Sequence, residues 1–260
     1  MSKKIEKGEK ITVKNADVIA VLGLKGGVGK TTISWHVLPS ILKQNQRDFV
    51  IFEIDDNNES NAFNNSDIIS SSNSKTVKTD DKAVAAEIVI ETMTSDNCVI
   101  IDAGGGNDTK KVLEIVKSLG SDVKVLYIIP IDRNVADFKT TALPTAALIE
   151  SDNILFVQNQ FFSKEEFEFF PVETFEFARV NFSPLFQYAQ NLKYTIYDLS
   201  QICQTLTKEE AKNLFKEKFT KDGILDKASF IEAFNDYQKS EEAAKLISQF
   251  SASFQPFWQK

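Results

Sequence analysis

A glycine-rich turn with two lysines carries the clearest chemistry in this sequence. It reads Lys25-Gly26-Gly27-Val28-Gly29-Lys30-Thr31, followed by Thr32, and it lies between a strand-like apolar run and a helix-like segment. Glycines at this spacing let successive backbone N–H groups turn inward on an anion, because no Cβ blocks them. The following helix adds the positive end of its dipole. The turn therefore predicts a phosphate-binding loop.

The polar side chains of this loop suit the parts of a nucleotide phosphate chain. Lys30 is expected to reach the β- and γ-phosphates, and the Thr31 hydroxyl is expected to bind Mg²⁺. Thr32 can contact the α-phosphate. The strict pattern Gly-x4-Gly-Lys-Thr is missed by one position, because Leu24 occupies the place of the leading glycine.

A carboxylate at the end of another buried run completes the predicted metal site. Asp102 directly follows the apolar residues 98–101, a pattern that resembles the Walker B motif. In such a site the strand-terminal carboxylate holds Mg²⁺ or its waters. Thr31 and Asp102 are therefore the predicted metal ligands.

The elements that must position these groups alternate along the chain. Continuous apolar runs predict buried strands at 16–22, 49–54, 98–101, 123–129 and 153–157, and a short strand is expected near 74–78. Helices are expected at 31–44, 82–93, after a cap at Asp108 or Thr109, and at 135–150. Apolar strands that alternate with helices are typical of a parallel sheet covered on both faces. The predicted fold class is α/β, a P-loop NTPase with a mostly parallel, doubly wound sheet.

Prolines and the later part of the chain complete this prediction. We expect Pro39 and Pro144 to kink or break their helices and Pro130 to end its strand. Residues 167–172 are expected to form an edge strand. Residues 1–200 are predicted to form the ATPase domain, and residues 201–260 a helical extension packed on the same domain.

Composition excludes several protein classes. Thirty Lys and Arg against 37 Asp and Glu give a formal net charge of −7, which argues against a histone-like nucleic-acid binder but allows a local basic face. Two cysteines, Cys98 and Cys203, cannot build a disulfide-dense scaffold. A metal-cluster carrier typically needs a cysteine pair, and it is disfavoured because Cys98 lies in a predicted buried strand and Cys203 stands alone. The chain contains neither an apolar run of the roughly 20 residues that span a membrane nor an N-terminal apolar signal core. A cytoplasmic location is expected.

The loop K-G-G-x-G-K-T resembles the deviant Walker A motif of the ParA/MinD family of ATPases, and the similarity covers about residues 16–160. The resemblance implies ATP and Mg²⁺ as ligands and an ATP-dependent sandwich homodimer. In that dimer Lys25 would reach the nucleotide of the other subunit. It also implies that Asp55 orients the attacking water and that Asn159 contacts the adenine base.

Some positions depart from the family pattern. Glu53 replaces an aspartate, Asp56 stands where proline is common, and Gly104-Gly105-Gly106 follows Asp102 in place of a proline. Asp56 is thus an alternative for the water-orienting role, and Asn57 or Asn58 for polar contacts. A later segment, 194–198, resembles the family loosely.

Three kinds of cargo remain open. A DNA-partition ATPase, stimulated by an adaptor protein, would bind DNA non-specifically. Its candidate residues are Lys208, Lys212, Lys216, Lys218 and Lys221, although glutamates among them also suit a solvated face. About 16 residues precede the first strand, so we expect no N-terminal helix-turn-helix.

The other two cargo classes are a membrane surface and a protein partner. A MinD-like membrane switch would use an apolar stripe at helical spacing. The stripe comprises Leu246, Ile247, Phe250, Phe254, Phe257 and Trp258, and its acidic polar face favours packing on the protein body instead. A plasmid-stability or conjugation accessory ATPase would act on a protein partner.

Overall fold

A computed structural model of the chain describes residues 10–55, 63–78, 82–131, 135–159, 176–181, 183–202, 206–221 and 223–254. Its strands are β1 (Val18–Val21), β2 (Phe49–Ile54), β3 (Ser74–Val77), β4 (Cys98–Ala103), β5 (Val125–Ile131), β6 (Ile154–Asn159), β7 (Glu176–Val180), β8 (Thr220–Lys221) and β9 (Ile224–Leu225). Its α-helices include α2 (Lys82–Thr94), α3 (Asn107–Lys117), α5 (Leu185–Leu192), α6 (Ile196–Gln201), α7 (Lys208–Lys218) and α8 (Lys227–Ser253).

Two further helices, α1 and α4, each contain a π-helical turn. Helix α1 consists of Lys30–Thr32, the π turn Ile33–Val37, and Leu38–Gln44. Helix α4 consists of Val135–Asp137, the π turn Phe138–Ala142, and Leu143–Ala146. In both, the π turn ends two residues before a proline, at Pro39 and Pro144. A proline lacks the N–H and crowds the carbonyl four residues earlier, and a wider turn relieves that crowding. The predicted kinks are therefore π turns within continuous helices.

The first seven strands form one parallel sheet in the order β3-β2-β4-β1-β5-β6-β7. Strand β1 lies between β4 and β5, and the loop that follows it leaves the middle of the sheet. Helices pack on both faces, so the predicted α/β fold of the P-loop NTPase class is confirmed.

Alternate residues of each strand supply two separate cores. Ile19, Ile51 and Ile100 lie in the core beneath α1, α5, α6 and α8. Val18, Phe52 and Ile101 lie in the core beneath α2, α3 and α4. Burial on both faces explains why the strands are continuous apolar runs in the sequence.

The prediction that Pro130 ends its strand is wrong. Pro130 lies inside β5 and pairs with Val157 of β6. The carbonyl oxygen of Ile128 accepts a hydrogen bond from Leu22 N, so the backbone polar groups of Ile128 point toward β1. Pro130 lies two residues later in the strand, so its backbone nitrogen points the same way. Strand β1 ends at Val21, so no ladder bond there requires the N–H that proline lacks.

The C-terminal helix packs on the body of the protein. Its residues Leu246, Ile247, Phe250 and Phe254 are buried in the same core as the sheet residues under α1. A small hairpin, β8 and β9, which the sequence analysis did not predict, separates α7 from α8. The edge strands of the described sheet are β3 and β7. The strand predicted at 167–172 lies outside the described residues, as do Phe257 and Trp258. The division into domains at residue 200 stays a prediction.

Candidate functional site

The glycine-rich turn lies directly between β1 and α1, as the sequence predicts. Gly27 and Gly29 have φ values of +74° and +91°, and Gly29 is the residue at which α1 begins. The turn thus leads directly into the N-terminus of α1, and a helix N-terminus favours an anion. Gly26 and Gly27 are exposed, Val28 is buried, and Thr31 is exposed on the first turn of α1.

Lys30 folds back over this turn. Its Nζ donates to the carbonyl oxygen of Lys25 at 3.1 Å, and the residue is buried. Burial lowers the pKa of Lys30, while the carboxylates of Asp102, Asp55 and Asp108 each raise it. The lysine is therefore surrounded by carboxylates and held near the loop backbone, where a phosphate could replace the carbonyl as its partner.

Asn159, the last residue of β6, supports the loop from behind. Its Nδ2 donates to the carbonyl of Val28 at 3.1 Å. A Cβ at Gly29 would lie 1.7 Å from that nitrogen, so only glycine allows this close approach. The structure thus places Asn159 against the phosphate loop, and its contact with an adenine base stays a prediction.

Two threonine hydroxyls from other helices fix the start of the loop. Thr109 Oγ1 accepts from Gly23 N at 3.3 Å and donates to Gly23 O at 3.1 Å. Leu24 N donates to Thr145 Oγ1 at 3.4 Å. The prediction that Asp108 or Thr109 caps α3 is wrong. Helix α3 begins after Gly106 without a side-chain cap, and Thr109 contacts the loop instead.

Asp102 lies beside the loop at the end of β4. It pairs in register with Val21 of β1 and with Glu53 of β2. Burial and the neighbouring Glu53 carboxylate raise the pKa of Asp102 to about 7, although Lys30 lowers it. Thr76 donates to Glu53 at 2.9 Å, which gives that second buried carboxylate a partner.

The residues at this point fit a magnesium ion. Asp102 Oδ1 is buried and has no hydrogen-bond partner among the described residues, which leaves it available as a ligand. The hydroxyl of Thr31 lies close enough to Asp102 to favour its charged form, so the two predicted ligands meet. Mg²⁺ typically takes one or two protein oxygens and completes its shell with phosphates and water. No group of three or more His, Cys, Asp or Glu suited to a metal occurs in the described part of the chain, and this chemistry requires none.

The other two predicted catalytic residues are Lys25, at the start of the loop, and Asp55, which acts on Lys30. Asp55 directly follows β2, and its charge acts on Lys30. Asp56, Asn57 and Asn58 lie outside the described residues. Lys25 is half-exposed, and its Nζ lies 3.2 Å from Asp137 Oδ2 at the start of α4.

Sequence reasoning missed several groups of this site. Trp35 Nε1 donates to Asp102 Oδ2 at 3.1 Å. Asp108 is buried close to Gly104, where a Cβ would lie 2.0 Å from its Oδ2. The triple glycine before α3 was a usable signal for Asp108, because it permits such an approach. No local pattern marks Trp35, which is 67 residues from its partner.

No family model and no curated protein matches the chain. A solved structure of the septum site-determining protein MinD from Pyrococcus horikoshii OT3, complexed with Mg-ADP, is similar at 15% identity and a TM-score of 0.41. The match covers 85% of this chain and 96% of that one.

In the described parts of the chain, we find no helix with the length and apolar character needed to span a bilayer.

Proposed function

We propose that this chain binds ATP with Mg²⁺ and hydrolyses it to ADP and phosphate. The observation that carries the proposal is the loop between β1 and α1. There Lys30 is folded over a turn with two positive-φ glycines, and Asp102 and Asp55 lie around it. Strand, loop, helix and opposed carboxylates together form the arrangement that phosphoryl transfer uses.

The roles of the residues follow from their positions. Loop N–H groups and Lys30 would hold the β- and γ-phosphates, and Thr31 with Asp102 would hold Mg²⁺, which neutralises charge on the transferring phosphoryl group. Asp55 would orient the attacking water. Water attack on the γ-phosphorus forms the new P–O bond while the bond to the ADP oxygen breaks.

Nucleotide binding tests this proposal directly. We expect Lys30→Ala to lose most ATP affinity in equilibrium binding with a fluorescent ATP analogue. Lys43→Ala, which removes a partly exposed lysine farther along α1, is the matched control and should bind as the wild type does. If Lys30→Ala binds and hydrolyses ATP like the wild type, the phosphate-loop assignment is wrong.

We further propose an ATP-dependent sandwich homodimer of the ParA type, in which Lys25 reaches the nucleotide of the other subunit. The partly exposed position of Lys25 at the loop's edge supports this role. Lys25→Ala should keep ATP binding and lose ATP-dependent dimerisation or turnover. Light scattering with ATP and with ADP measures this, and an unchanged ATP dimer with unchanged turnover contradicts it.

For the cargo we propose non-specific DNA, with hydrolysis stimulated by an adaptor protein, as in DNA partition. Lys208, Lys212 and Lys216 share one side of α7, are exposed, and have no ion pair with another described residue. Burial of four residues of the C-terminal apolar stripe disfavours the alternative of a membrane surface. A protein-partner ATPase remains the other alternative.

A gel shift on random-sequence DNA separates these alternatives. The ATP-bound Asp55→Ala protein should shift DNA, the ADP form should not, and the shift should weaken as salt rises, because phosphate contacts release counterions. Replacing Lys208, Lys212 and Lys216 by alanine should weaken the shift. Replacing the exposed Lys14, Lys117 and Lys245 by alanine is the matched control, because it makes the same change in net charge elsewhere on the surface. A confirmed ATP dimer that shifts no DNA would favour a protein partner.

A further inference from the structure

Trp35 and Asp102 form a buried hydrogen bond between α1 and β4. The indole Nε1 donates to Asp102 Oδ2 at 3.1 Å, and the two residues are 3% and 2% exposed. The other oxygen, Oδ1, has no hydrogen-bond partner within the described residues. One oxygen of this carboxylate is therefore held by the protein, and the other is left for a ligand.

Trp35 is well placed to act together with Thr31. It lies four residues after Thr31 on α1, in the middle of the π turn Ile33–Val37. The hydroxyls of Ser34 and Thr31 also lie near Asp102 and lower its pKa, so three groups of one helix converge on the same carboxylate. Single π turns within helices are frequent at functional sites.

Aromatic packing fixes the direction of the indole N–H. The Trp35 ring stacks on Phe63 with centroids 5.2 Å apart and an interplanar angle of 9°. The imidazole of His36 contacts the edge of Phe63 at 5.0 Å and Phe186 at 5.5 Å. A ring held on this side cannot turn its donor away without disturbing that cluster.

The carboxylate needs such a donor because a second negative group lies beside it. Glu53 is the register neighbour of Asp102 on β2, and both side chains project toward the face covered by α1. Their repulsion would turn Asp102 away from a productive orientation. Groups that orient a metal ligand in this way are worth about 10- to 100-fold in metal affinity.

We propose that Trp35 is a positioning residue, whose indole N–H orients Asp102 so that its free oxygen faces Mg²⁺. The proposal rests on the proposed ATPase function and adds to it a residue outside the phosphate loop. Trp35 touches neither nucleotide nor reacting atoms; it acts through Asp102.

The effect of Mg²⁺ on nucleotide affinity tests the proposal without a measurement of turnover. The affinity for a non-hydrolysable ATP analogue is measured with saturating Mg²⁺ and with EDTA, and the ratio of the two affinities is compared between variants. Trp35→Phe keeps an aromatic ring against Phe63 but removes the donor, and it should lower the ratio by about 10-fold or more. Phe186→Leu disturbs the same core but leaves the ring that stacks on Trp35 and keeps the donor, so its ratio should stay within about 2-fold.

The outcomes separate this proposal from the proposed function. If the wild type binds no nucleotide, the proposed function is wrong and the role of Trp35 falls with it. If the wild type shows a magnesium effect that Trp35→Phe retains within about 2-fold, only the role of Trp35 is overturned. An equal loss in Phe186→Leu would also overturn it, because a general loss of core packing would then explain the effect.

If Trp35→Phe fails to fold, a spectroscopic measurement on a protein that keeps Trp35 tests the proposal instead. The chain has two tryptophans, so Trp258→Phe leaves Trp35 as its one indole. The indole N–H resonance of Trp35 should shift when Mg²⁺ is added to the complex with the ATP analogue. A resonance that does not move while Mg²⁺ tightens nucleotide binding overturns the proposal.

Discussion

The ammonium group of Lys25 lies 3.2 Å from Oδ2 of Asp137, so the lysine proposed to cross a dimer interface is paired within its own subunit. The two side chains are 44% and 22% exposed. A pair exposed to this degree typically contributes no more than about 1 kcal/mol. The contact can therefore hold Lys25 in the monomer and still yield to a nucleotide phosphate.

Removing this partner should favour the ATP dimer. Asp137→Asn would remove this one ion pair of Lys25 before association, and about 1 kcal/mol corresponds to at most about a 5-fold gain per subunit. Sedimentation of the ATP-bound dimer measures the effect. Asp152→Asn changes an exposed aspartate elsewhere and is the control. A dimer no tighter than that of the control would show that the pair does not oppose association.

Asp55 should be required for hydrolysis but not for ATP binding. Asp55→Ala removes the carboxylate that would orient the attacking water, so we expect turnover to fall by about 100-fold or more and an ATP-bound dimer to accumulate. Asp48→Ala, just before the other end of β2, is the matched control. Phosphate release and nucleotide content are measured together. Normal hydrolysis by Asp55→Ala would move the role to Asp56 or elsewhere.

Gly29 should tolerate no side chain. An added Cβ would meet Asn159 Nδ2 at 1.7 Å, and φ is +91°, which costs about 1–3 kcal/mol in a residue other than glycine. We therefore expect Gly29→Ala to lower the denaturation midpoint and to weaken ATP binding. Gly26→Ala meets nothing within 4 Å and should leave stability within about 0.5 kcal/mol. Equal midpoints for the two variants would contradict this account.

His36 should make the protein sensitive to mild acid. Burial lowers its pKa from 6.5 to about 3, so the folded form stays neutral while the unfolded chain takes up a proton. Stability is then lost as pH falls from about 6.5 toward 3, by up to about 1.4 kcal/mol per pH unit. His36→Leu should remove this loss, and His36 is the chain's one histidine. Urea unfolding of the wild type and of His36→Leu from pH 7 to pH 5 tests this prediction. Free energies of unfolding that change with pH in parallel for the two proteins would disprove it.

Asp102 should have the opposite effect on stability. Its pKa is raised to about 7, so the folded protein holds a proton that the unfolded chain releases above about pH 4. Stability from this group therefore falls as pH rises from about 4 to about 7 and stays at its lower value above that. Asp102→Asn should raise Tm at pH 8 and raise it less at pH 6, while weakening the magnesium effect on nucleotide binding. A larger gain at pH 6 would contradict the sign.

Local chemistry allowed the sequence to predict the glycine-rich turn between β1 and α1 and most of the sheet. Three glycines and two lysines within seven residues specify an anion-binding turn without reference to the rest of the chain. Strands β2 and β4 are apolar runs because both faces are covered, and they lie where the runs predict them. The order of polar residues after each strand likewise anticipated Asp55 and Asp102.

Tertiary structure alone decided which distant groups meet at that loop. Lys25 and Asp137 are 112 residues apart, and Asn159 and Val28 are 131 apart. Pro130 is tolerated only because the neighbouring strand has already ended. No periodicity marks Trp35 as the donor to Asp102, because periodicity reports which face of an element is buried. It does not report which polar atoms meet there, and that depends on strand order, register and the π turn of α1 acting together.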